Sequence, residues 1–317
     1  MADPPSRAAL ITGSTGGLGR QIALALAREG WHVVVGGRRP GAVESVVREI
    51  VRAGGTGSAF VADLGDLDSI RRAVETTELP PFNALVLNAG ITLQGHKTSG
   101  QGYELTFAVN VLAHHLLVNL LLARPGQVLQ PARIVFTSSG VQIPEHKLAR
   151  FFRIAVPRWV GARHLALPDQ APEEFRIPPG NQRYSTSKLG NVLQARALQC
   201  RLDAMGFRAD VFAVDPGLMP DTDLAREIPR PLRWIFRGVM AVVLPFVPGM
   251  RYSTTSGEHF RSLATDGKWD GRGFAYLDGN HVVPASQDGM NDAYANALWR
   301  DASELVGLPE REPLISN

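Results

Sequence analysis

The sequence predicts an α/β protein built on a parallel sheet, and three observations carry that prediction. Short β-branched runs alternate with longer amphipathic stretches through the first 140 residues, the order in which successive βαβ units feed one sheet. A glycine-rich turn directly follows the first such run. The composition, 44% hydrophobic and 20% charged over 317 residues, is that of an ordinary globular chain with enough apolar material for a sizeable core.

The elements follow in order. Ala8–Ile11 is the first strand, a short apolar run that stops at a turn. Leu18, Ile22, Ala23 and Leu26 then recur at helical spacing, and Gly30 stands where a helix C-terminus favours a left-handed residue. His32–Gly36, Ser58–Ala62, Ala84–Asn88 and Arg133–Thr137 are the next strands, each rich in β-branched or large apolar residues. Long helices are expected over about Gln101–Ala123 and Asn181–Met205, a sixth strand over Val211–Val214 and a last one over about Phe274–Leu277. Pro144 to Pro179 is proline-spaced and aromatic and offers no clear element. No repeat or low-complexity linker is visible.

The single cysteine, Cys200, excludes a disulfide scaffold and a thiolate metal cluster, and is read as a buried small apolar residue. The N-terminus enters a strand-like run at once, with no room for a secretory signal, and the apolar stretch Trp234–Val247 is too short and too interrupted to span a bilayer. These features point to the cytoplasm. Net charge is only +3, too slight to argue for nucleic acid. Its distribution is uneven: residues 145–163 and 226–251 each carry +4, leaving −5 for the rest. Both stretches also hold large apolar residues, among them Phe151, Phe152, Trp159, Trp234 and Phe236.

After the first strand comes Thr12-Gly13-Ser14-Thr15-Gly16-Gly17-Leu18-Gly19, then the helix. Glycines there permit a tight turn and let backbone N–H groups approach a pyrophosphate at a helix N-terminus. Where a site for unphosphorylated ribose places a carboxylate after the second strand, this chain has Gly36-Gly37-Arg38-Arg39, which favours a 2′-phosphate and so NADP(H) over NAD(H). Two arginines solvating a loop are the plainer reading. Asp63 and Leu64, after the third strand, are placed to touch adenine or, alternatively, to cap the helix starting near Asp66.

Tyr184-Ser185-Thr186-Ser187-Lys188 opens a predicted helix, and a spacing of four puts both ends on one face. A neighbouring ammonium and an oxidised nicotinamide both favour a phenolate, against a free-tyrosine pKa of about 10. Such a pair alone is usually a surface pair.

Together, Thr12-Gly13-x-x-x-Gly17-x-Gly19, Asn88-Ala89-Gly90, Asn110, Ser138-Ser139, Tyr184-x-x-x-Lys188 and Asp215-Pro216-Gly217 resemble the short-chain dehydrogenase/reductase family in order and spacing over about residues 8–280. The resemblance implies one Rossmann domain over 1–317 with a doubly wound, seven-stranded parallel sheet and substrate-side insertions at about 141–180 and 219–250. It implies a catalytic tetrad of Asn110, Ser139, Tyr184 and Lys188. Tyr184 would exchange the proton, Lys188 would hold the nicotinamide ribose, Ser139, as the second of two serines, would bind the carbonyl oxygen, and Asn110 would anchor a water relay. Cofactor contacts are implied at Gly13, Ser14, Gly17, Leu18, Gly19, Arg38, Arg39, Asp63, Leu64, Asn88, Ala89, Gly90, Tyr184, Lys188, Pro216, Gly217 and Thr222.

Residues Phe107–Leu117 and Pro216–Thr222 resemble the branch with retinol dehydrogenases and light-dependent protochlorophyllide reductases. The 45 positions from Ser139 to Tyr184 exceed the interval usual in the family. Protochlorophyllide enzymes carry a cysteine after Pro-Gly, whereas this chain has Leu218. The expected activity is therefore NADP(H)-dependent interconversion of a carbonyl and an alcohol on a bulky hydrophobic small molecule. Reduction of a conjugated C=C bond and a non-catalytic NADP-binding interaction protein are the alternatives. The two basic aromatic segments would close over the substrate or rest on anionic lipid as a peripheral contact, although two solvated helices fit the same residues. Relatives dimerise through the two long helices, so a homo-oligomer is a further expectation. His114 and His115 read as a packed or solvated pair, and no metal is assigned.

Overall fold

The computed structural model describes residues 7–219 and 249–308. Eight strands form one sheet: β1 (Ala8–Ile11), β2 (His32–Gly37), β3 (Thr56–Val61), β4 (Phe82–Leu87), β5 (Val128–Thr137), β6 (Ala209–Asp215), β7 (Ala275–Asp278) and β8 (His281–Val282). Their order is β3-β2-β1-β4-β5-β6-β7-β8. The first seven pair in parallel, as the sequence predicts, and β8 adds a two-residue antiparallel edge on β7. Two residues are too few to leave an alternation in the sequence, which is why this strand was not foreseen.

The helices are α1 (Gly17–Arg28), α2 (Pro40–Arg52), α3 (Leu67–Thr76), α4 (Leu105–Phe107), α5 (Ala113–Leu122), α6 (Lys147–Phe151), α7 (Ala162–Ala166) and α8 (Asn181–Ala204), followed by helices Ser253–Thr265 and Asp292–Leu305. Because successive strand residues point to opposite faces, Ala8 and Leu10 feed one core layer while Ala9 and Ile11 feed the other. The first layer is covered by α3, α5, α8 and helix Asp292–Leu305, the second by α1, α2 and helix Ser253–Thr265. Burial on both faces explains why the strands read as nearly continuous apolar runs.

The helix expected over Gln101–Ala123 begins at Leu105 and is not uniform. Between α4 and α5 lies a π-helical turn, Ala108–Leu112, in which the Ala113 N–H bonds five residues back to the Ala108 carbonyl. The span Leu105–Leu122 is long and apolar enough to cross a membrane, but 89% of it is buried in the fold, so it serves as a core helix. The stretch Pro144–Pro179 holds α6, α7 and two 3-10 turns, Pro168–Gln170 and Glu173–Phe175, each too short to show a period. His146 caps α6 by accepting the Ala149 N–H at 3.3 Å.

Cys200 corrects an expectation: it is exposed, on the solvent side of α8, while Ala197 and Leu198 beside it take the core positions. His114 and His115 are both fully buried, so of the two readings packing is the observed one. Helix Asp292–Leu305 lies across α5 and α8, the two helices on which the expectation of a homo-oligomer rests. His115 Nε2 is 2.9 Å from Ser303 Oγ, and the Arg201 guanidinium sits 4.7 Å from the Trp299 ring centre.

Candidate active site

The strand order reverses at β1, with β2 on one side and β4 on the other, and the residues singled out in the sequence gather at the carboxyl ends of these strands. The glycine turn leaves β1 and closes against β4. Gly13 has φ +65°, and a Cβ on it would fall 2.9 Å from Ala89 Cα. A Cβ on Gly19 would fall 2.4 Å from the Gly13 carbonyl oxygen and 2.6 Å from Asn88 Nδ2. Neither position has room for a side chain. Gly17 opens α1, and the preceding Gly16 is extended and offers no side-chain cap, so the first N–H groups of the helix keep their donors. This cradle fits a phosphate-bearing group.

Several predicted contact residues serve the cradle rather than its surface. Ser14 is fully buried: its hydroxyl donates to the Ile11 carbonyl at 2.9 Å and accepts the Gly36 N–H at 2.9 Å, tying the turn to β2. The Leu18 side chain is in the core. Asn88 Nδ2 donates to the Thr12 carbonyl at 3.0 Å, and the Asn88 and Ala89 N–H groups donate to Thr12 Oγ1 at 2.9 and 3.0 Å. Gly90 lies where a Cβ would come within 3.3 Å of Lys188 Nζ.

At the end of β2, Arg38 and Arg39 are exposed, and Arg38 reaches Asp63 at 4.0 Å. Asp63 does not cap α3. It accepts the Gly65 N–H at 2.9 Å, while Asp66 is the N-cap and accepts the Asp68 N–H at 3.0 Å. Leu64, beside Asp63, is half-buried against the first core layer.

Tyr184 and Lys188 stand one turn apart on α8, with Lys188 Nζ 5.6 Å from the phenol ring centre. Lys188 is buried and donates to the Thr137 carbonyl at the end of β5, 2.9 Å away. Burial pushes its ammonium down to about 8, against the opposing pull of Asp215. The Tyr184 phenol is pushed up to about 12 by burial and by the Asp215 carboxylate, with the Ser139 hydrogen bond working the other way. The expected lowering by the ammonium is absent here. Ser138 turns away, donating to the Lys188 carbonyl at 2.8 Å, whereas Ser139 is the serine beside the phenol. Asn110 lies in the π-helical turn. Its amide donates to the Ile91 carbonyl at 3.0 Å and to Ser187 Oγ at 2.9 Å, and its oxygen accepts the Ile91 N–H at 2.8 Å. Lys188 stands beside Tyr184, and Tyr184 beside Ser139, while Gly90 meets both Lys188 and Asn110 and follows the Asn88 and Ala89 groups that hold the glycine turn.

Asp215 is a residue that the site analysis of the sequence missed. It ends β6 as a buried carboxylate and accepts the Gly217 N–H at 2.9 Å. Its pKa is raised, first by burial, while the Gly217 and Gly140 N–H groups and His146 oppose the rise. A charged residue closing an apolar strand run was the available signal. Pro216 and Gly217 form the next turn, where the Pro216 carbonyl accepts the Ser256 hydroxyl at 2.7 Å. Thr222 and residues 226–248 of the second basic segment lie outside the described residues. Among the described residues no group of three histidine, cysteine or acidic side chains could hold a metal ion.

A family model described as short chain dehydrogenase matches residues 7–146. A Streptomyces sp. (strain C5) protein with the provisional name daunorubicin C-13 ketoreductase is 35% identical, the match covering 96% of this chain and 93% of that one. Retinol dehydrogenase 11 of Mus musculus is 27% identical over 96% of this chain and 88% of its own. Among solved structures, a protein of Mycobacterium paratuberculosis superposes with a TM-score of 0.66 at 25% identity, covering 98% of both chains.

Proposed function

From the premise that the chain belongs to the short-chain dehydrogenase/reductase family and is an oxidoreductase, we propose that it uses NADPH to reduce a carbonyl on a bulky apolar small molecule. The observation that carries this reading is the half-buried Tyr184 phenol, which keeps its proton at neutral pH and stands beside the Ser139 hydroxyl. A protonated phenol there can act as general acid toward the alkoxide that hydride addition forms, and as base in the reverse direction; the preference for NADP(H) read from Arg38 and Arg39 supports the reductive one.

The bound nicotinamide supplies the hydride that reaches the carbonyl carbon. The chain does the rest. Gly13, Gly17 and Gly19 open the cradle for the pyrophosphate, and Asn88, Ala89 and Gly90 line its far side. Arg38 and Arg39 receive the 2′-phosphate. The Arg38–Asp63 pair is exposed and at 4.0 Å, weak enough to yield to a phosphate. Ser139 donates to the carbonyl oxygen, Tyr184 delivers the proton to it, and Lys188 presents its ammonium to the ribose. Asn110 holds α8 in place through Ser187.

A bulky apolar substrate fits the relatives, one named as a daunorubicin C-13 ketoreductase and one as a retinol dehydrogenase. In the first insertion Phe151 is 78% and Phe152 49% exposed. These two rings, flanked by Lys147, Arg150 and Arg153, form a surface that meets anionic lipid peripherally.

The test is oxidation of NADPH, with NADH as the alternative, in the presence of polyketide, steroid and retinoid carbonyls. The wild type should turn over at least one class and prefer NADPH. Tyr184→Phe should lose about two to four orders of magnitude in rate, the range a positioned acid contributes. Unchanged turnover in that variant would refute the role of the phenol.

A further inference from the structure

His114 is fully buried and lies between the glycine turn and the π-helical turn, although no step above uses it. Its Nε2 is 3.1 Å from Thr12 Oγ1, at the start of the glycine turn. Its Nδ1 is 3.3 Å from the Asn110 carbonyl, in the π-helical turn. A ring nitrogen can donate or accept depending on the tautomer, and the neighbours decide which.

Thr12 settles the question by its own count. A hydroxyl has one proton to donate and two lone pairs, and both lone pairs of Thr12 Oγ1 are used by the Asn88 and Ala89 N–H groups at 2.9 and 3.0 Å. Only its proton is left for His114, so Nε2 must accept. The ring proton then sits on Nδ1 and donates to the Asn110 carbonyl. A doubly protonated ring would turn Nε2–H toward an oxygen with no lone pair free. Burial and the nearby Lys188 charge push the imidazole down to about 3, which agrees with a neutral ring.

We infer that His114, as the Nδ1–H tautomer, is a positioning residue that couples the cofactor cradle to the catalytic helix. On one side it fixes the Thr12 hydroxyl that gathers Asn88 and Ala89. On the other it fixes the turn whose Asn110 side chain grips Ile91 and Ser187, one of the three residues between Tyr184 and Lys188. The inference rests on the proposed reading of the cleft, and the experiment separates the two.

The two functions can be divided by side-chain reach. The Gln side chain extends to about the Nε2 position and can still accept from Thr12, whereas the Asn side chain stops near Nδ1 and can still donate to the Asn110 carbonyl. His114→Gln should therefore lower kcat about 5- to 10-fold with the KM for NADPH nearly unchanged, the loss expected for one hydrogen bond. His114→Asn should raise that KM by a similar factor with kcat nearly unchanged. Wild-type kcat and KM in both variants, or the same pattern in both, would overturn the inference. ¹⁵N NMR of the histidine-labelled wild-type chain adds a reading that needs no variant. Proton attachment at Nδ1 of His114 is expected, and attachment at Nε2 would overturn it. If Tyr184→Phe proves inactive while the His114 variants behave as wild type, the coupling fails and the reductase reading stands. If Tyr184→Phe is fully active, the reductase reading fails first.

Discussion

Lys188 shows how far a single group's charge depends on what surrounds it. Burial lowers its pKa and the Asp215 carboxylate offsets part of that, leaving the ammonium at about 8. The charged form exists below that value and is lost above it, while Tyr184 stays protonated to about 12. Reductive kcat/KM for NADPH should therefore fall as pH rises through about 8, a limb belonging to the lysine and not to the phenol. Lys188→Arg, which cannot lose its charge in this range, should flatten that limb, and Asp215→Asn should move it lower. A wild-type profile that stays level to pH 10 would contradict the assignment. The spacing of Tyr184 and Lys188 was legible in the sequence because one turn of helix separates them. The role of Asp215 was not, since only the finished sheet brings the end of β6 to act on Tyr184 and Lys188.

Among the described elements, α6 carries an apolar surface that folding does not explain. It is five residues long, too short to be stable by itself, and it ends with Phe151 and Phe152 packed edge to face at 5.1 Å and largely exposed. Arg153, which follows, has φ +52°, an uncommon conformation for a side-chain-bearing residue, and it turns the chain sharply after the aromatic pair. No carboxylate lies between His146 and Arg163. Inserting a phenylalanine into a lipid interface is worth on the order of 1.5–3 kcal/mol, and each basic residue near an anionic surface about 1 kcal/mol. In vesicle flotation the chain should rise with anionic liposomes and much less with neutral ones. Phe151→Ser combined with Phe152→Ser should abolish the difference without changing the melting temperature. Equal recovery from both vesicle types would remove the lipid contact. The sequence showed this segment as basic and aromatic but could not arrange it, because α6, α7 and the 3-10 turns between Pro144 and Pro179 have no period to read and are placed by single contacts such as the His146 cap.

Across the whole molecule the legible part is the part with a repeating physical cause. Strands β1, β2, β4, β6 and β7 were readable since burial on both faces demands unbroken apolar runs, whereas Cys200 was misread on residue type alone, although Arg196 and Asp203, four before and three after it, mark the same edge of α8. Helix Asp292–Leu305, which the sequence analysis did not single out, seals the outer face of α5 and α8 through Trp299, Ala302 and Ser303, and so buries His115 between layers. That burial has a cost in acid. His114 and His115 are both pushed down to about 3, His115 by burial first and then by Arg201, against 6.5 in the unfolded chain. The unfolded chain therefore binds protons that the folded one refuses, and stability that is complete above about 6.5 is lost as pH falls toward 3. Each such histidine contributes about 1.4 kcal/mol per pH unit within this window. His32 and His259 are displaced in the same direction, so the informative quantity is a difference between chains. His115→Phe keeps the aromatic contact with Trp299, 4.6 Å away and edge to face, and removes the titrating group. Urea unfolding between pH 6 and 5 should show the variant losing about 1.4 kcal/mol less stability per pH unit than the wild type. Identical slopes for the two chains would mean that water or a proton reaches the ring in the folded state, and that the seal made by helix Asp292–Leu305 is not closed.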